Sequence, residues 1–513
     1  MNATSICILI TIIVYLLMMI VIGAVFSKKN KSTDDFFLGG RKLGPLVTAM
    51  SAEASDMSSW LLLGLPGLAL ITGLAEATWT AIGLAIGTYL NWLLVAKRLR
   101  VYTNKLGAVT IPDFFSKRFG DDKKILTLIS AVFIVVFFIP YTASGFVGCG
   151  KLFSSIFGID YFTAMVICAL VIALYCILGG FLAASTTDFI QSIIMTIALV
   201  AVLGFAFMTV GSDAIFENAR NVEGYLDIFK GGNVVTNEVG SYGALPIAST
   251  LAWGLGYFGM PHIILRFMAI EDENKLHISR RVGSIWVVIS MSVAILIGIC
   301  GYTLMKNNIV PQYATTSDSE RIIIDIAQKI SSYGVLPAIV GGVILAGILA
   351  SAMSTSDSQL LAATSSITQN IIQEVFKINL KQKTSIWVAR VMVLAISGIA
   401  VYLALDPDSS VFRIVSFAWA GFGATFGPAI LFALFWRRAN KWGILSGMIG
   451  GGALIFIWKF GVRTAFANTW LDIYELLPAF LLNVILVIVV SLITKAPESK
   501  ITDEFDSVVK SVK

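Results

Sequence analysis

The sequence predicts an all-α protein that crosses a membrane about thirteen times. Of its 513 residues, 57% are hydrophobic and only 13% are charged, and the mean hydropathy is +0.85. Charged residues make up about 25% of ordinary soluble domains. The apolar residues form continuous, non-alternating runs such as residues 6–26. These runs fit spanning helices, whereas the buried strands of a soluble α/β enzyme are shorter and those of an outer-membrane barrel alternate.

The apolar runs set the predicted number of spans. The first run is interpreted as a retained span, because no basic residue precedes it and it is longer than the core of a signal peptide. The thirteen predicted spans cover residues 6–26, 45–74, 76–96, 125–150, 160–182, 187–210, 244–265, 282–305, 335–371, 385–405, 410–436, 442–460 and 474–494.

The basic residues predict the orientation. With this count, 28 of the 37 Lys and Arg residues fall in segments on one side of the membrane and 9 on the other. Because the cytoplasmic side is the positive one, we expect the N-terminus outside and the tail 495–513 in the cytoplasm. The net charge of +6 is spread over these loops, which argues against nucleic-acid binding. The outside segments 211–243 and 306–334 are expected to lie on the membrane surface or to cover a cavity.

Four carboxyl groups fall in or beside apolar runs, where an ionisable side chain costs about 2.5–3.5 kcal/mol on insertion scales. Asp56 is the clearest candidate for function. Glu53 lies one turn earlier. The alternative interpretation is that it is an interfacial residue paired with a loop lysine. Asp188 has the alternative of a helix N-cap or a first-turn acid at the cytoplasmic interface. Asp357 lies late in the ninth predicted span.

Two stretches rich in glycine and proline predict interrupted helices. SAEASDMSSWLLLGLPG (51–67) lies in the second span and LAWGLGYFGMPH (251–262) in the seventh. Unwound backbone inside a membrane is tolerated where it lines a cavity or is buried. The glycines of the second stretch have the alternative of a helix-packing surface. The two spans are five apart, an odd number, so two five-span units would have inverted topology, as in secondary transporters.

A third stretch, LASAMSTSDSQLL (349–361), carries hydroxyl groups in the ninth span. Ser351, Ser354 and Thr355 have i, i+3, i+4 spacing and therefore share one helical face. Hydroxyl and carbonyl oxygens suit an alkali or alkaline-earth cation rather than a transition metal. The alternative is that the hydroxyls bond to carbonyls of their own helix. The five cysteines have neither disulfide nor metal-ligand spacing.

In these stretches the chain resembles the sodium:solute symporter family, and most closely its proline-carrying members. The resemblance runs from the first inside loop to the eleventh span. The matching segments are DDFFLGGRKLGP (34–45), ASDMSSWLLLGLPG (54–67), WGLGYFGMPHIILRFMA (253–269), MSTSDSQLLAATSSIT (353–368) and SFAWAGFGATFGPAILFALFWRR (416–438).

The resemblance implies a set of site residues. The implied sodium site consists of the carbonyl groups of Ala54, Met57 and Ser351 and the hydroxyl groups of Ser354 and Thr355. The implied coupling acids are Asp56 and Asp188. The implied substrate-side residues are Ser58, Trp60, Tyr141, Trp253, Tyr257 and Pro261. Four residues depart from the family pattern: Glu53, Ser59, Ser351 and Asp357. Ser351 can still serve through its carbonyl, whereas Asp357 leaves the ion stoichiometry open.

The resemblance also implies a leucine-transporter-type fold and a function. The expected organisation is a single transport domain (1–513) with an extra helix (6–26), a first repeat (45–210), an inverted second repeat (244–436), two further helices (442–494) and the tail (495–513). The expected activity is import of L-proline with sodium across the cell membrane by alternating access. We expect no enzymatic activity and no cofactor. The lipid bilayer is expected to surround the protein, and no obligatory protein partner is expected. The alternatives are sodium symport of another amino acid, a sugar or a vitamin-like carboxylate, and a membrane-embedded sensor or enzyme.

Overall fold

The computed structural model describes residues 3–27, 33–467 and 469–512, so the loop residues Lys28, Lys29 and Lys31 of the charge argument lie outside the described residues. The regular secondary structure of the described chain is helical apart from one antiparallel ribbon, β1 (Lys230–Gly232) with β2 (Val239–Ser241). The α-helices are α1 (Ala3–Ser27), α2 (Thr33–Leu38), α3 (Pro45–Ser59), α4 (Leu65–Thr72), α5 (Leu74–Leu90), α6 (Lys97–Leu106), α7 (Ile111–Phe119), α8 (Ile125–Phe157), α9 (Tyr161–Val210), α10 (Ser212–Arg220), α11 (Ala244–Leu251), α12 (Pro261–Ala269), α13 (Leu276–Lys306), α14 (Thr316–Ser319), α15 (Ile322–Ser331), α16 (Val335–Ser365), α17 (Gln382–Leu403), α18 (Val411–Phe435), α19 (Lys441–Phe456), α20 (Arg463–Ala465), α21 (Leu476–Ile493) and α22 (Ser499–Val512).

Eleven helical segments of the described chain are long and apolar enough to cross a membrane, compared with the thirteen predicted spans. The predicted fifth and sixth spans lie in one helix, α9, of 50 residues. A helix of that length is roughly 75 Å long, more than twice the hydrocarbon thickness. It changes direction at Gly180, whose φ is 64° and ψ is −175°. The predicted seventh span consists of α11, a 3₁₀ segment (Ala252–Gly259) and α12, each too short to cross alone.

The interior of the bundle is built around α3, α4, α16 and α18. The segment Pro45–Thr72 is buried throughout, and α18 is almost as enclosed. By contrast, α1, α17 and α21 expose most of their apolar surface, as expected for helices that face lipid. The second predicted span is therefore surrounded by protein on all sides, which is where polar groups are tolerated in a membrane.

The backbone of α3 leaves helical geometry at Ser58, where φ is 48° and ψ is −169°. A π-helical turn (Trp60–Gly64) follows, and Gly64, Pro66 and Gly67 then lie in helical backbone. Pro66 is accommodated because it lies in the first turn of α4, where a backbone donor is not needed. Gly67 is required for another reason: a Cβ there would lie 2.8 Å from the amide nitrogen of Glu320 in the outer loop.

The second glycine-rich stretch forms the 3₁₀ segment Ala252–Gly259, after which Met260 is extended and Pro261 begins α12. Its glycines also pack against α5. A Cβ on Gly87 would collide with the backbone of Gly254, and one on Gly83 would collide with that of Leu251. The glycines therefore form a helix-packing surface, as the alternative predicted, and the backbone of the same segment is also irregular.

The two long segments that are predicted to lie outside are structured. Residues 211–243 hold α10 and the β-ribbon, and residues 306–334 hold α14 and α15. The Ser319 hydroxyl donates to the Gly67 carbonyl at 2.9 Å. Glu320 is buried and accepts hydrogen bonds from Lys151 at 2.9 Å and from the Phe412 amide at 3.0 Å. This loop therefore covers the end of α4 and caps the first turn of α18.

The polar tail is also helical. In α22, Phe505 and Val508 are buried, and Asp506 pairs with Arg437 just after α18 at 3.0 Å. Phe505 lies over the buried Arg118 guanidinium, with the ring centroid at 4.9 Å. The tail packs on the bundle through this apolar face, which its high charge content obscures in the sequence.

We expect Gly87→Ala to lower the melting temperature of the purified protein in detergent. The added Cβ meets the backbone of Gly254, and rigid backbone cannot give way as a flexible side chain can. Overpacking of this kind costs about 1–3 kcal/mol. Gly204→Ala is the matched control, because the position is helical and open. Equal melting of the two variants would contradict the close helix contact.

Candidate ligand and ion site

A small cavity lies in the centre of the bundle, beside the irregular part of α3. It has room for about one water molecule. Its lining comes from three sequence-predicted substrate residues, from two neighbours in the second span and from three residues that sequence reasoning missed. In chain order they are Asp56, Met57, Trp60, Leu84, Tyr141, Trp253, Val415 and Trp419. Ser58, Tyr257 and Pro261 are not part of the lining.

Asp56 joins the two interrupted segments. Its carboxylate accepts a short hydrogen bond from the Tyr257 hydroxyl, and its main-chain carbonyl accepts one from the Tyr141 hydroxyl at 3.1 Å. All three side chains are buried. Tyr257 therefore contributes to the site by holding the acid. Ser58, whose hydroxyl accepts the amide hydrogen of Trp60 at 3.1 Å, instead stabilises the irregular turn.

Aromatic rings separate this cavity from a wider outer vestibule of about 580 Å³. Trp253 lines both spaces, and its ring lies 5.7 Å from that of Trp60, 5.5 Å from that of Phe412 and 5.1 Å from that of Tyr474. The Trp419 indole donates to the Trp253 carbonyl at 2.7 Å, which fixes the irregular backbone of this segment. A ligand entering from the vestibule must move these rings apart.

Hydrogen bonds connect four of the five predicted sodium ligands in series. The Ser354 hydroxyl donates to the Ala54 carbonyl at 2.8 Å, which joins α16 to α3. Ser354 and Thr355 lie 3.3 and 3.1 Å from the Ser351 carbonyl. All three hydroxyls bond to carbonyls of their own helix, as the alternative predicted, with Ser351 donating to Ile348 at 2.7 Å; Ser354 is the one of the three that also crosses to α3. The Met57 carbonyl accepts the amide hydrogen of Trp60.

Asp188 is neither a helix N-cap nor a first-turn acid, so that alternative is wrong. It lies in the middle of α9 and is fully buried. Its carboxylate accepts the Ser51 hydroxyl at 2.7 Å and Arg266 of α12 at 3.1 Å. Arg266 also donates to Ser51 at 3.0 Å and makes a short hydrogen bond to Ser358. The acid therefore ties α9 to α3, α12 and α16.

Asp357 lies next to this network. One of its oxygens accepts the Ser358 hydroxyl at 3.1 Å, and the other has no hydrogen-bond partner in the described part of the chain. Since Ser358 also meets Arg266, two buried carboxyl groups are arranged around one guanidinium. This residue, which departs from the family pattern, therefore adds a carboxyl group to the interior.

Glu53 is not paired with a loop lysine, so that interpretation is also wrong. Its side chain is buried and accepts the Trp92 indole hydrogen at 2.9 Å. It faces α13, where a Cβ on Gly283 would lie 2.8 Å from the carboxylate oxygen. Its second oxygen has no hydrogen-bond partner among the described residues. Ser59 packs against Gly148 of α8, whose lack of a side chain makes room for it.

Arg41 joins two segments at one end of the bundle, outside the spans. Its guanidinium donates to the carbonyls of Met268 and Ala108, each at 2.7 Å. Burial is the main cause that lowers the pKa of Arg41, to about 10. Its charge is therefore retained at neutral pH, and it joins the end of α12 to the link between α6 and α7.

Sequence reasoning missed residues of two kinds. Leu84, Val415 and Trp419 are apolar residues in apolar spans, so nothing in their pattern separates a cavity wall from a lipid-facing surface. Arg266 directly follows the predicted seventh span (244–265) and is counted among the basic loop residues, although it is buried. The feature of the sequence that could have indicated its burial is its position just after the proline-containing stretch 251–262. The described residues contain no group of three His, Cys, Asp or Glu side chains suited to a metal.

We expect Arg266→Gln to destabilise the protein by about 3–5 kcal/mol, because it leaves a buried carboxylate without its counter-charge. Adding Asp188→Asn to this variant is expected to recover part of the loss. The exposed pair Arg437–Asp506 is the control, and Arg437→Gln is expected to cost under about 1 kcal/mol. Thermal unfolding in detergent compares the wild type with Arg266→Gln, Asp188→Asn, the double variant and Arg437→Gln. Additive losses for Arg266 and Asp188 would show that the pair is not coupled.

Comparisons with known proteins extend over nearly the whole chain. An osmoregulated proline transporter, OpuE, of Bacillus subtilis is 44% identical, over 96% of this chain and 96% of its own length. A sodium/proline symporter of Salmonella typhimurium is 40% identical, over 98% of this chain and 96% of its own.

Solved structures share the fold. A Na⁺-coupled sialic acid symporter, in a substrate-bound outward-open state, has a TM-score of 0.77 and 17% identity, over 96% of this chain and 99% of that chain. MhsT in complex with L-phenylalanine has a TM-score of 0.52 and 13% identity, over 88% and 98%. The predicted all-α polytopic transporter fold is therefore confirmed. The family model described as "Sodium:solute symporter family" matches residues 36–451. The chain belongs to the sodium:solute symporter family.

Proposed function

We propose that this protein imports L-proline together with sodium by alternating access. The observation that carries the proposal is the hydrogen bond between Ser354 and the Ala54 carbonyl, which brings the oxygen atoms of two spans together beside the aromatic cavity. Relatives that are 40–44% identical over nearly the whole chain are named sodium/proline symporters or proline transporters. The family is one of sodium-coupled transporters rather than enzymes.

Sodium is proposed to bind the carbonyls of Ala54, Met57 and Ser351 and the hydroxyls of Ser354 and Thr355. Distances of 2.8–3.3 Å among four of these groups support the proposal. The two hydroxyls rotate their hydrogens away and turn their lone pairs toward the ion. Neutral oxygens of this kind are suitable ligands for a hard cation.

Proline is proposed to bind between the two interrupted spans, with its carboxylate near the irregular turn of α3. Its ring packs against Trp253, with Trp60 and Tyr141 completing the aromatic wall, while Tyr257 contributes through its hydrogen bond to Asp56. Ser58 and Pro261 shape the backbone at the two turns. Asp56 acts as an electrostatic attractor and holds the turn through Tyr257. The cavity has room for about one water molecule, so binding requires Trp253 to move away from Trp60.

The coupling follows from the position of the two ligands. Sodium joins α3 to α16 and shapes the wall against which proline packs, so each ligand raises the affinity for the other. The membrane potential adds about 2.3 kcal/mol per charge for each 100 mV. Rocking of the repeats 45–210 and 244–436 moves the site between the two sides. Asp188, through Arg266, holds the inner side together. The protein lies in the cell membrane, with its N-terminus outside and its tail (495–513) in the cytoplasm.

We expect Ser354→Ala combined with Thr355→Val to raise the half-saturating sodium concentration for uptake at least about tenfold. Each lost ligand weakens ion binding, and about 1.4 kcal/mol corresponds to a factor of ten. The measurement is initial proline uptake into proteoliposomes against external sodium. Ser365→Ala combined with Ser366→Ala is the control, since both hydroxyls bond only to the Ala362 carbonyl of their own helix. Unchanged sodium dependence of the first variant would rule out this ion site.

We expect the purified protein to accumulate labelled proline under an inward sodium gradient, with excess unlabelled proline abolishing the signal. A cavity walled by Trp60, Tyr141 and Trp253 suits a small apolar ring, whereas a sugar needs more amide and carboxylate partners. The competitors are other amino acids, sugars and vitamin-like carboxylates. Competition by one of these in place of proline would favour the alternative of another solute. No uptake of any solute would favour a sensor or an enzyme.

A further inference from the structure

The end of the third predicted span lies against both interrupted segments. Gly83 and Gly87 of α5 pack on the backbone of Leu251 and Gly254, and Leu84 between them lines the central cavity. The helix then changes to a π-helical turn over Asn91–Ala96. Single π-helical turns within α-helices are frequent at functional sites, because they turn side chains to new directions.

Asn91 is the first residue of this turn and is buried. Its amide group donates to the Tyr257 carbonyl at 2.9 Å. That carbonyl lies in the 3₁₀ segment, where the α-helical hydrogen-bond pattern is lost. The hydroxyl at the other end of Tyr257 donates to Asp56. Tyr257 is therefore held at both ends, by the third span at its backbone and by the second span at its ring.

Trp92, the next residue, faces the second span. Its indole donates to Glu53 at 2.9 Å, less than one helical turn before Asp56. Its ring also packs on Phe267 of α12, with the centroids 4.4 Å apart. Trp92 is thus in contact with the second and seventh spans at once. The two neighbouring residues of one π-helical turn therefore contact both interrupted spans.

We propose that Asn91 and the Trp92–Glu53 pair are positioning residues, which fix the separation of the two interrupted spans and hence the contact of Tyr257 with Asp56. The inference rests on the proposed function, because it assigns these residues a role in proline binding. Without the Asn91 donor, the buried Tyr257 carbonyl seeks another partner and the ring moves away from Asp56. Proline then binds to a cavity wall that is no longer held in place.

The first test compares uptake kinetics of Asn91→Ala and Asn91→Asp with those of the wild type. Loss of a donor to a buried carbonyl costs free energy equivalent to about a factor of ten, so we expect the proline KM to rise about tenfold. The maximal rate per folded molecule is expected to stay within about twofold, because the residues contact neither ligand. Asn483→Ala is the matched control, since Asn483 donates the same kind of bond to the Ala424 and Thr425 carbonyls, at 2.6 and 3.0 Å. It is expected to lower the melting temperature without changing KM.

The second test separates hydrogen bonding from charge at Glu53. Glu53→Gln keeps an acceptor for the Trp92 indole and is expected to retain the wild-type KM. Trp92→Phe keeps a ring against Phe267 but removes the donor, and is expected to raise KM several-fold, in line with the cost of one buried hydrogen bond. If Glu53→Gln raises KM as much as Trp92→Phe does, the charge and not the hydrogen bond matters, and the proposal is overturned.

The third test measures the distance between the second and seventh spans and does not depend on transport. Spin labels at the exposed positions Leu46 of α3 and Leu245 of α11, with the five native cysteines replaced, report the distance between the second and seventh spans. We expect Asn91→Ala to broaden or shift this distribution and Asn483→Ala to leave it unchanged. An unchanged distribution in Asn91→Ala, or an equal KM shift in both variants, overturns the proposal. Failure of the wild type to carry proline would instead refute the proposed function, while the distance measurement still tests the positioning role.

Discussion

The central constraint on this protein is that every backbone carbonyl inside a membrane needs a donor, although two of its spans are not regular helices. Side chains from neighbouring helices supply the missing donors. Ser354 donates to Ala54, Tyr141 to Asp56, Trp419 to Trp253 and Asn91 to Tyr257. The four donors come from four different helices. The irregular segments are therefore held by the whole bundle and not by their own hydrogen bonds.

This arrangement connects packing to chemistry. A carbonyl that accepts from a hydroxyl is already oriented toward a polar neighbour, and a cation can replace the hydrogen in that contact without unfolding a helix. Ala54 with Ser354 is such a place, since the donor belongs to another span and its oxygen can itself become a ligand. The carbonyls of Trp253 and Tyr257 accept from the nitrogen atoms of Trp419 and Asn91, which cannot act as cation ligands in this way. The difference in donor chemistry separates the Ala54 carbonyl from the carbonyls of Trp253 and Tyr257.

Composition and motifs were enough to predict the fold class and the family, because spanning helices follow from hydropathy and the family motifs are long and specific. The i, i+3, i+4 spacing predicted that Ser351, Ser354 and Thr355 share one helical face, and the family resemblance implied that Ser354 lies near the Ala54 carbonyl. The partners of Glu53, Asp188 and Arg266 could not be predicted in this way. Those side chains meet residues 39 and 78 or more positions away, and a single sequence carries no signal for such pairs. Gly67 illustrates the same limit, because its role is set by an outer loop that packs on it and not by local bending.

The Asp188–Arg266 pair has a consequence for biosynthesis. The partners are 78 residues apart, so at about 5–20 residues per second the acid is made roughly 4–16 s before its base. During that interval α9 carries a carboxyl group that has no counter-charge in the hydrocarbon region. The helix either keeps this group in contact with water or remains beside the insertion machinery until α12 arrives. Assembly of the inner half of the bundle therefore has a fixed order, in which the seventh span completes a site that the sixth has left open.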